Sequence, residues 1–170
     1  MQPAPPFEEL IAAATSTAVH LEMRDAYTPG DPEFLRWRAG APIDWVAGHR
    51  GWYDLVRSTV GRGVRMRRAR IASEPLADFI RYEYELSGPM NEAAGEQVRW
   101  LPRRRASDIA LPGNDFWVFD DRLVRFGHFS GDGEILDQEV TDEPAVVKLC
   151  ASAFEAVWER AIPHEEYQPR

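Results

Sequence analysis

Cysteine and lysine are nearly missing from this chain. Cys150 and Lys148 are the only ones in 170 residues. A single thiol excludes an intramolecular disulfide, and its place on an apolar helical stripe marks it as a packing side chain rather than a nucleophile. Long apolar runs are lacking too. None approaches the roughly 18 residues that a membrane span requires, and the first residues do not have the basic-then-apolar form of a signal peptide. The expected location is therefore the cytoplasm. There is no P-loop, no Gly-x-Gly-x-x-Gly and no Gly-x-Ser-x-Gly elbow. The histidines at 20, 49, 128 and 164 have no spacing that suits zinc, and Asp120-Asp121 reads as a turn before it reads as a metal-binding pair. No cofactor and no metal is expected.

Hydrophobic content of 44%, with six Trp and eight Phe, indicates a folded domain with a substantial core. The net charge of −8 argues against direct nucleic-acid binding by the chain as a whole. The charge is uneven, because residues 62–105 carry ten Arg against six acidic residues. Two readings suit that stretch: arginines solvated along a strand face and a helix start, or a site for an anion or an acidic partner.

Residues 1–6, Met-Gln-Pro-Ala-Pro-Pro, read as a frayed terminus. Phe7 to Ala14 has a helical stripe. Val19, Leu21 and Met23 alternate with His20, Glu22 and Arg24, as in a half-buried strand. Asp31-Pro32 opens a short helix, a second helix runs from Asp44 or Arg50 to Gly61, and Val64 to Ala72 is an Arg-rich strand. Ser73-Glu74-Pro75 signals a helix start with Ser73 as the cap, and Ser87-Gly88-Pro89 its break. Gln97 to Leu101 is a third strand. Arg103 to Ala110 forms a helical turn or two. Phe116 to Phe119, Leu123 to Phe129 and Ile135 to Val140 form a meander whose first turn is Asp120-Asp121. Asp142 caps a final helix with a long apolar stripe from Val146 to Ala161.

This order predicts a single α/β domain over residues 7–163 with a mixed sheet: parallel strands crossed over by helices, then an antiparallel meander and a C-terminal amphipathic helix. Residues 164–170 read as a polar tail. The carboxyl ends of the parallel strands would form a crevice with Arg24, Asp25, Arg70, Ser73, Glu74, Trp100 and Arg103 near its rim.

The segments SEPLADFIRYEYELS, NEAAGEQVRWLPR, LPGNDFWVFDDRLVRFGHF and TDEPAVV, with the closing AFEAVWERAIPHEEY, resemble an actinobacterial family of small cytoplasmic proteins. Members of that family are often encoded beside XRE-type helix-turn-helix regulators and are similar to the sensor half of some of them. Element order is also distantly similar to one half of a phospholipase D-like domain, without the His-x-Lys pair of its catalytic versions. The resemblance implies a non-catalytic regulatory module working with an XRE-type regulator, with a small anionic ligand as a further expectation and Arg70, Glu74, Arg81, Glu96 and Arg99 as the charged positions for a pocket. Two other readings stand beside it. One is an enzyme acting on a small anionic or phosphorylated metabolite, with Arg70, Arg81 and Arg99 binding the anion and Glu74 as general base. The other is a homodimer formed through a sheet edge or the aromatic hairpin.

Overall fold

In the computed structural model, which describes residues 1–170, eight strands follow the alternation in the sequence. They are β1 (Gln2–Pro3), β2 (Thr17–Glu22), β3 (Arg65–Ala72), β4 (Gln97–Pro102), β5 (Phe116–Phe119), β6 (Leu123–Phe129), β7 (Ile135–Thr141) and β8 (Ile162–Pro163). The six α-helices are α1 (Phe7–Ala13), α2 (Pro32–Arg38), α3 (Trp45–Gly48), α4 (Arg50–Gly61), α5 (Asp78–Leu86) and α6 (Pro144–Arg160). The strands form one sheet in the order β1-β7-β6-β5-β2-β3-β4-β8. β2, β3 and β4 are parallel, with helices in their crossovers, and β5, β6 and β7 are the antiparallel meander. The mixed sheet expected from the element order is the one observed. No helix is long and apolar enough to cross a membrane.

Local chemistry explains most of the element ends. Asp31 accepts a hydrogen bond from the Phe34 N–H at 2.8 Å, and Pro32 fills the first helical position, where no N–H is needed. Asp120 and Asp121 both have φ of 51°, the left-handed pair that a two-residue hairpin turn needs and that Asp tolerates. The Asp120 carboxylate also accepts from the backbone N–H groups of Thr15, Ser16 and Thr17 at 2.8 to 2.9 Å. It thereby fastens the β5–β6 hairpin to the start of β2. Burial alone would raise its pKa, but those N–H groups and the Ser16 hydroxyl hold it well below the usual carboxylate range.

Four local expectations need correction. Ser73 does not cap α5; its hydroxyl donates to Asp25 at 2.7 Å and accepts from Arg103 Nε at 2.8 Å, so an ion pair outcompetes the helix end. Ser87-Gly88-Pro89 does not break the helix but leads into a π-helical turn, Ser87–Glu92, where the wider ladder accommodates Pro89. Asp142 is not the cap of α6, which begins with Glu143 at the N-cap and Pro144 at the first turn. Both ends of the chain are docked: Gln2 and Pro3 pair with Val140 and Glu139, and Tyr167 is 2% exposed in a core cluster.

The sheet is covered on both faces, as parallel strands require. On one face α6 seats Cys150, Phe154 and Val157, all fully buried, against Leu21, Ile71, Leu101 and Phe116. Each large side chain buried in this way contributes roughly 1.5–3 kcal/mol. The Cys150 thiol is pushed up to about 11 by burial. The opposite face carries two apolar clusters, one under α1 and α4 and one under α5 and the π-helical turn. Between them runs a polar seam.

Removing the Asp120 anchor tests this account of the hairpin. Asp120→Ala is expected to lower stability by about 2–4 kcal/mol in urea unfolding, because several hydrogen bonds to a charged acceptor are lost. Asp120→Asn, which keeps the turn conformation, is expected to lower it by about half as much. The depressed folded pKa means that the wild-type advantage is present above pH ~4 and is lost as the pH falls further.

Candidate functional site

The seam arises from strand alternation. Along β2 and β3, Val19, Leu21, Ala69 and Ile71 face α6, so His20, Glu22, Arg68 and Arg70 must face the other way. Sheet register places His20 opposite Arg68 and Glu22 opposite Arg70. It continues the row outward, with Trp117 opposite His20 and Arg125 opposite Trp117. The arginines expected to be solvated along a strand face are buried instead: Arg67 is 8% exposed, Arg68 7% and Arg70 3%. The strand is central, so both of its faces are covered.

Glu22 stands between the two seam arginines. One of its oxygens accepts from Arg68 Nη1, and the other lies 2.8 Å from Arg70 Nε, though not aligned for a hydrogen bond. Arg68 Nε also donates to Glu96 at 2.9 Å, whose second oxygen accepts from the Asn91 side-chain amide. Arg70 Nη1 donates to Glu83 on α5. Three carboxylates thus share two guanidinium groups.

The environment sorts these carboxylates. Burial works against the charged form of Glu22, but Arg68 and Arg70 overcome it and bring its pKa to about 2. For Glu83 burial prevails over Arg70, and the nearby charge of Glu22 adds to it, which raises Glu83 to about 7. His20 is held well below its ordinary value by burial, which prevails over the Glu22 charge, and the three arginines around it act in the same direction, so its ring is neutral and stacks on Trp117 at 4.3 Å.

Over this row lies a cavity of about 580 Å³. Its floor is His20, Arg68, Arg70 and Trp117 from the sheet. Its walls come from Phe7, the turn from Gly48 to Trp52, Glu83 and Leu86 on α5, Met90 and Asn91, and Arg125 on β6. Four arginines line it against one carboxylate. Arg125 differs from the others. Its Nη2 meets the Gln138 side chain, its guanidinium lies 5.1 Å from the Phe7 ring centre, and it has no carboxylate partner within ion-pair distance. Buried polar atoms without a partner also belong to cavity residues: His20 Nδ1, Asn91 Oδ1 and Arg125 Nε. Such groups are costly unless something completes them.

Of the charged positions read from sequence, the structure brings Arg70 and Glu96 into this seam. Glu74 lies elsewhere, at the carboxyl edge of β3, where it accepts from the Tyr167 hydroxyl at 2.8 Å. Arg81 is exposed on α5. Arg99 projects to the α6 face, where its guanidinium lies 4.4 Å from the Trp158 ring centre and donates to the Trp158 carbonyl at 3.0 Å. A second cavity of about 540 Å³ occupies the predicted carboxyl-edge crevice, lined by Ser73, Glu74 and Arg103 among others. There Arg103 uses Nε and Nη2 to bind Ser73, Asp25 and the carbonyls of Met23 and Ile71. His164 accepts from Trp100 Nε1 at 3.1 Å rather than standing free past a helix end.

Sequence reasoning missed Glu22, Arg68, Glu83, Asn91 and Arg125. Part of the signal was present: His20 and Glu22 in β2 and Arg68 and Arg70 in β3 are charged or polar at alternate positions, a pattern that reads as a solvent-facing side until strand order shows both strands to be central. Arg68→Met is expected to destabilise the fold by about 3–5 kcal/mol in urea unfolding, because Glu22 and Glu96 would lose their shared counter-ion inside the protein.

Similarity to known proteins bears on the fold and the family. No curated protein matches the chain in sequence. Among solved structures, a phospholipase D family member, Nuc from Salmonella typhimurium, is similar with a TM-score of 0.52 at 12% identity, covering 92% of this chain and 86% of that one. That likeness is one of fold, and the present sequence contains no His-x-Lys pair. The archaeal chromatin protein TrmBL2 is similar with a TM-score of 0.48 at 14% identity, over 91% of this chain and 48% of its own, so this chain spans about half its length. The family assignment comes from the sequence itself: across residues 5–169 the chain matches the domain of unknown function DUF6879, and it belongs to that family.

Proposed function

We propose that this domain is a regulatory binding module whose sheet-face cavity takes a small anionic ligand. The observation that carries the reading is Arg125, a half-buried guanidinium that lines a 580 Å³ cavity without a carboxylate of its own. Burial disfavours its charge, and a bound anion would offset that cost. The rings of Phe7, Trp52 and Trp117 stand beside it, with centroids 4.9 to 6.0 Å apart, and give a ligand an apolar surface to lie on. The other two cavity arginines of the seam are already neutralised from behind by Glu22 and Glu96. They shape the floor more than they attract charge.

The partner in this reading is an XRE-type helix-turn-helix regulator, supported by the resemblance of the central and C-terminal segments to sensor halves of such regulators. Co-purification at fixed stoichiometry is the expected behaviour. Catalysis on an anionic metabolite with Glu74 as base draws less support, because Glu74 hydrogen-bonds Tyr167 at a site separate from Arg81, Arg99 and the cavity.

Thermal unfolding in the presence of a panel of small carboxylates and phosphates tests the proposal. A ligand at 100 times its Kd is expected to stabilise the fold by about 2.7 kcal/mol, which corresponds to a rise of roughly 5–10 °C in Tm for a domain of this size. Arg125→Leu is expected to abolish the shift. A panel without effect, or a shift that survives Arg125→Leu, would count against the site.

A further inference from the structure

The two ends of the cavity differ in charge. At the β6 end Arg125 is a cation without an anion. At the α5 end stands the one carboxylate of the lining, Glu83, which pairs with Arg70 while Glu22 and Glu96 neutralise Arg68 and Arg70 from behind. Asn91, also in the lining, is 1% exposed and its side-chain amide donates to Glu96. Between the ends lie Trp117 and His20, stacked in the row that register sets from Arg125 to Arg68. Three strand spacings of ~4.8 Å separate β6 from β3, a distance that inward-reaching arginine and glutamate side chains shorten to about the length of a ring with a charged group at each end.

From this layout we infer that the cavity is built for a dipolar ligand, a planar or apolar body with a carboxylate at one end and an ammonium at the other, the carboxylate meeting Arg125 and the ammonium meeting Glu83. The inference rests on the anion-binding reading above and adds the second pole. It gives the one carboxylate of the lining a cation on the side away from Arg70. A purely anionic ligand would not.

The protonation of Glu83 supplies an independent signature. The charged and titratable groups that face it are Glu22 on β2, Arg68 and Arg70 on β3, and Asp115 ahead of β5. Burial holds His20 on the cavity floor well below its ordinary pKa, and burial with the charge of Arg70 lowers His164. With its pKa raised to about 7, Glu83 is largely protonated at pH 6.5 in the free protein. An ammonium placed against it favours the carboxylate, so the pKa falls and a proton passes to solvent. Well above pH 7 the carboxylate is already ionised and no proton is released.

Calorimetric titration with 4-(aminomethyl)benzoate, benzoate and benzylamine, in buffers of differing ionisation heat at pH 6.5 and 8.5, tests the inference. The expected result is that 4-(aminomethyl)benzoate binds about tenfold or more tightly than benzoate, the equivalent of one additional charged hydrogen-bonded contact. It should release most of a proton at pH 6.5 and none at pH 8.5. Glu83→Gln should bring the two acids within about twofold of each other. Proton release in the wild type gives the same answer should that variant fold poorly. Equal binding of benzoate and 4-(aminomethyl)benzoate, or binding without proton release at pH 6.5, would overturn the second pole and leave the anion site standing. Benzylamine binding as tightly as the dipolar probe, or no binding by either acid, would overturn both.

Discussion

The grip of one carboxylate on two arginines inside a sheet governs this structure. Glu22 lies between Arg68 and Arg70, all three at 7% exposure or less, on strands that are covered on both faces. Burying such groups costs several kcal/mol each before pairing returns part of it, so their positions are constrained by every neighbour that can complete them. Glu96, itself held by the Asn91 amide, accepts from Arg68 on one side, and Glu83 reaches down from α5 to Arg70. The apolar clusters under α1 and α4 and under α5 are kept apart by this row. The space between them is the cavity, and its polar floor is a direct consequence of the ions beneath it.

The same physics favours the proposed binding role over a reaction. The seam arginines are held by carboxylates from behind, His20 is neutral and stacked, and the one thiol is buried on the other face with its pKa pushed up to about 11. What remains open to a ligand is a guanidinium at one end, a carboxylate that takes a proton near neutrality at the other, and three aromatic rings. That set recognises charge and shape. The fold it shares with a phospholipase D family member supplies the sheet, and function depends on what has been placed on its face.

Much of the architecture was legible in the sequence because its signals are local. The alternation of β2, the Asp31-Pro32 helix start, the Asp120-Asp121 turn and the apolar stripe of α6 each lie within a few residues, and all four were observed. The errors came where a distant partner outcompeted a local preference. Ser73 has the look of a helix cap, but Asp25 and Arg103 are brought to it by the sheet and take its hydroxyl. The site suffered most from this. Arg99 was grouped with Arg70 and Glu96, from which the structure separates it, because alternation was not followed through β4, where odd positions face α6. Glu83 and Arg125 gave no local sign at all, since only strand order and the packing of α5 bring them to one cavity.

The central claim is that the polar seam exists to make a binding cavity and not to hold the fold together. Replacing it as a unit tests that claim most directly: Glu22→Leu, Arg68→Met, Arg70→Met, Glu83→Met, Asn91→Leu and Glu96→Met in one protein, with stability measured by urea unfolding. Buried ionic groups exchanged together for apolar ones of similar volume are often neutral or gain about 1–4 kcal/mol. The account predicts a variant at least as stable as the wild type, with no cavity for a charged ligand. A variant that unfolds, or that loses more than about 3 kcal/mol, would show that the network is there for stability and would contradict the reading of this face as a ligand site.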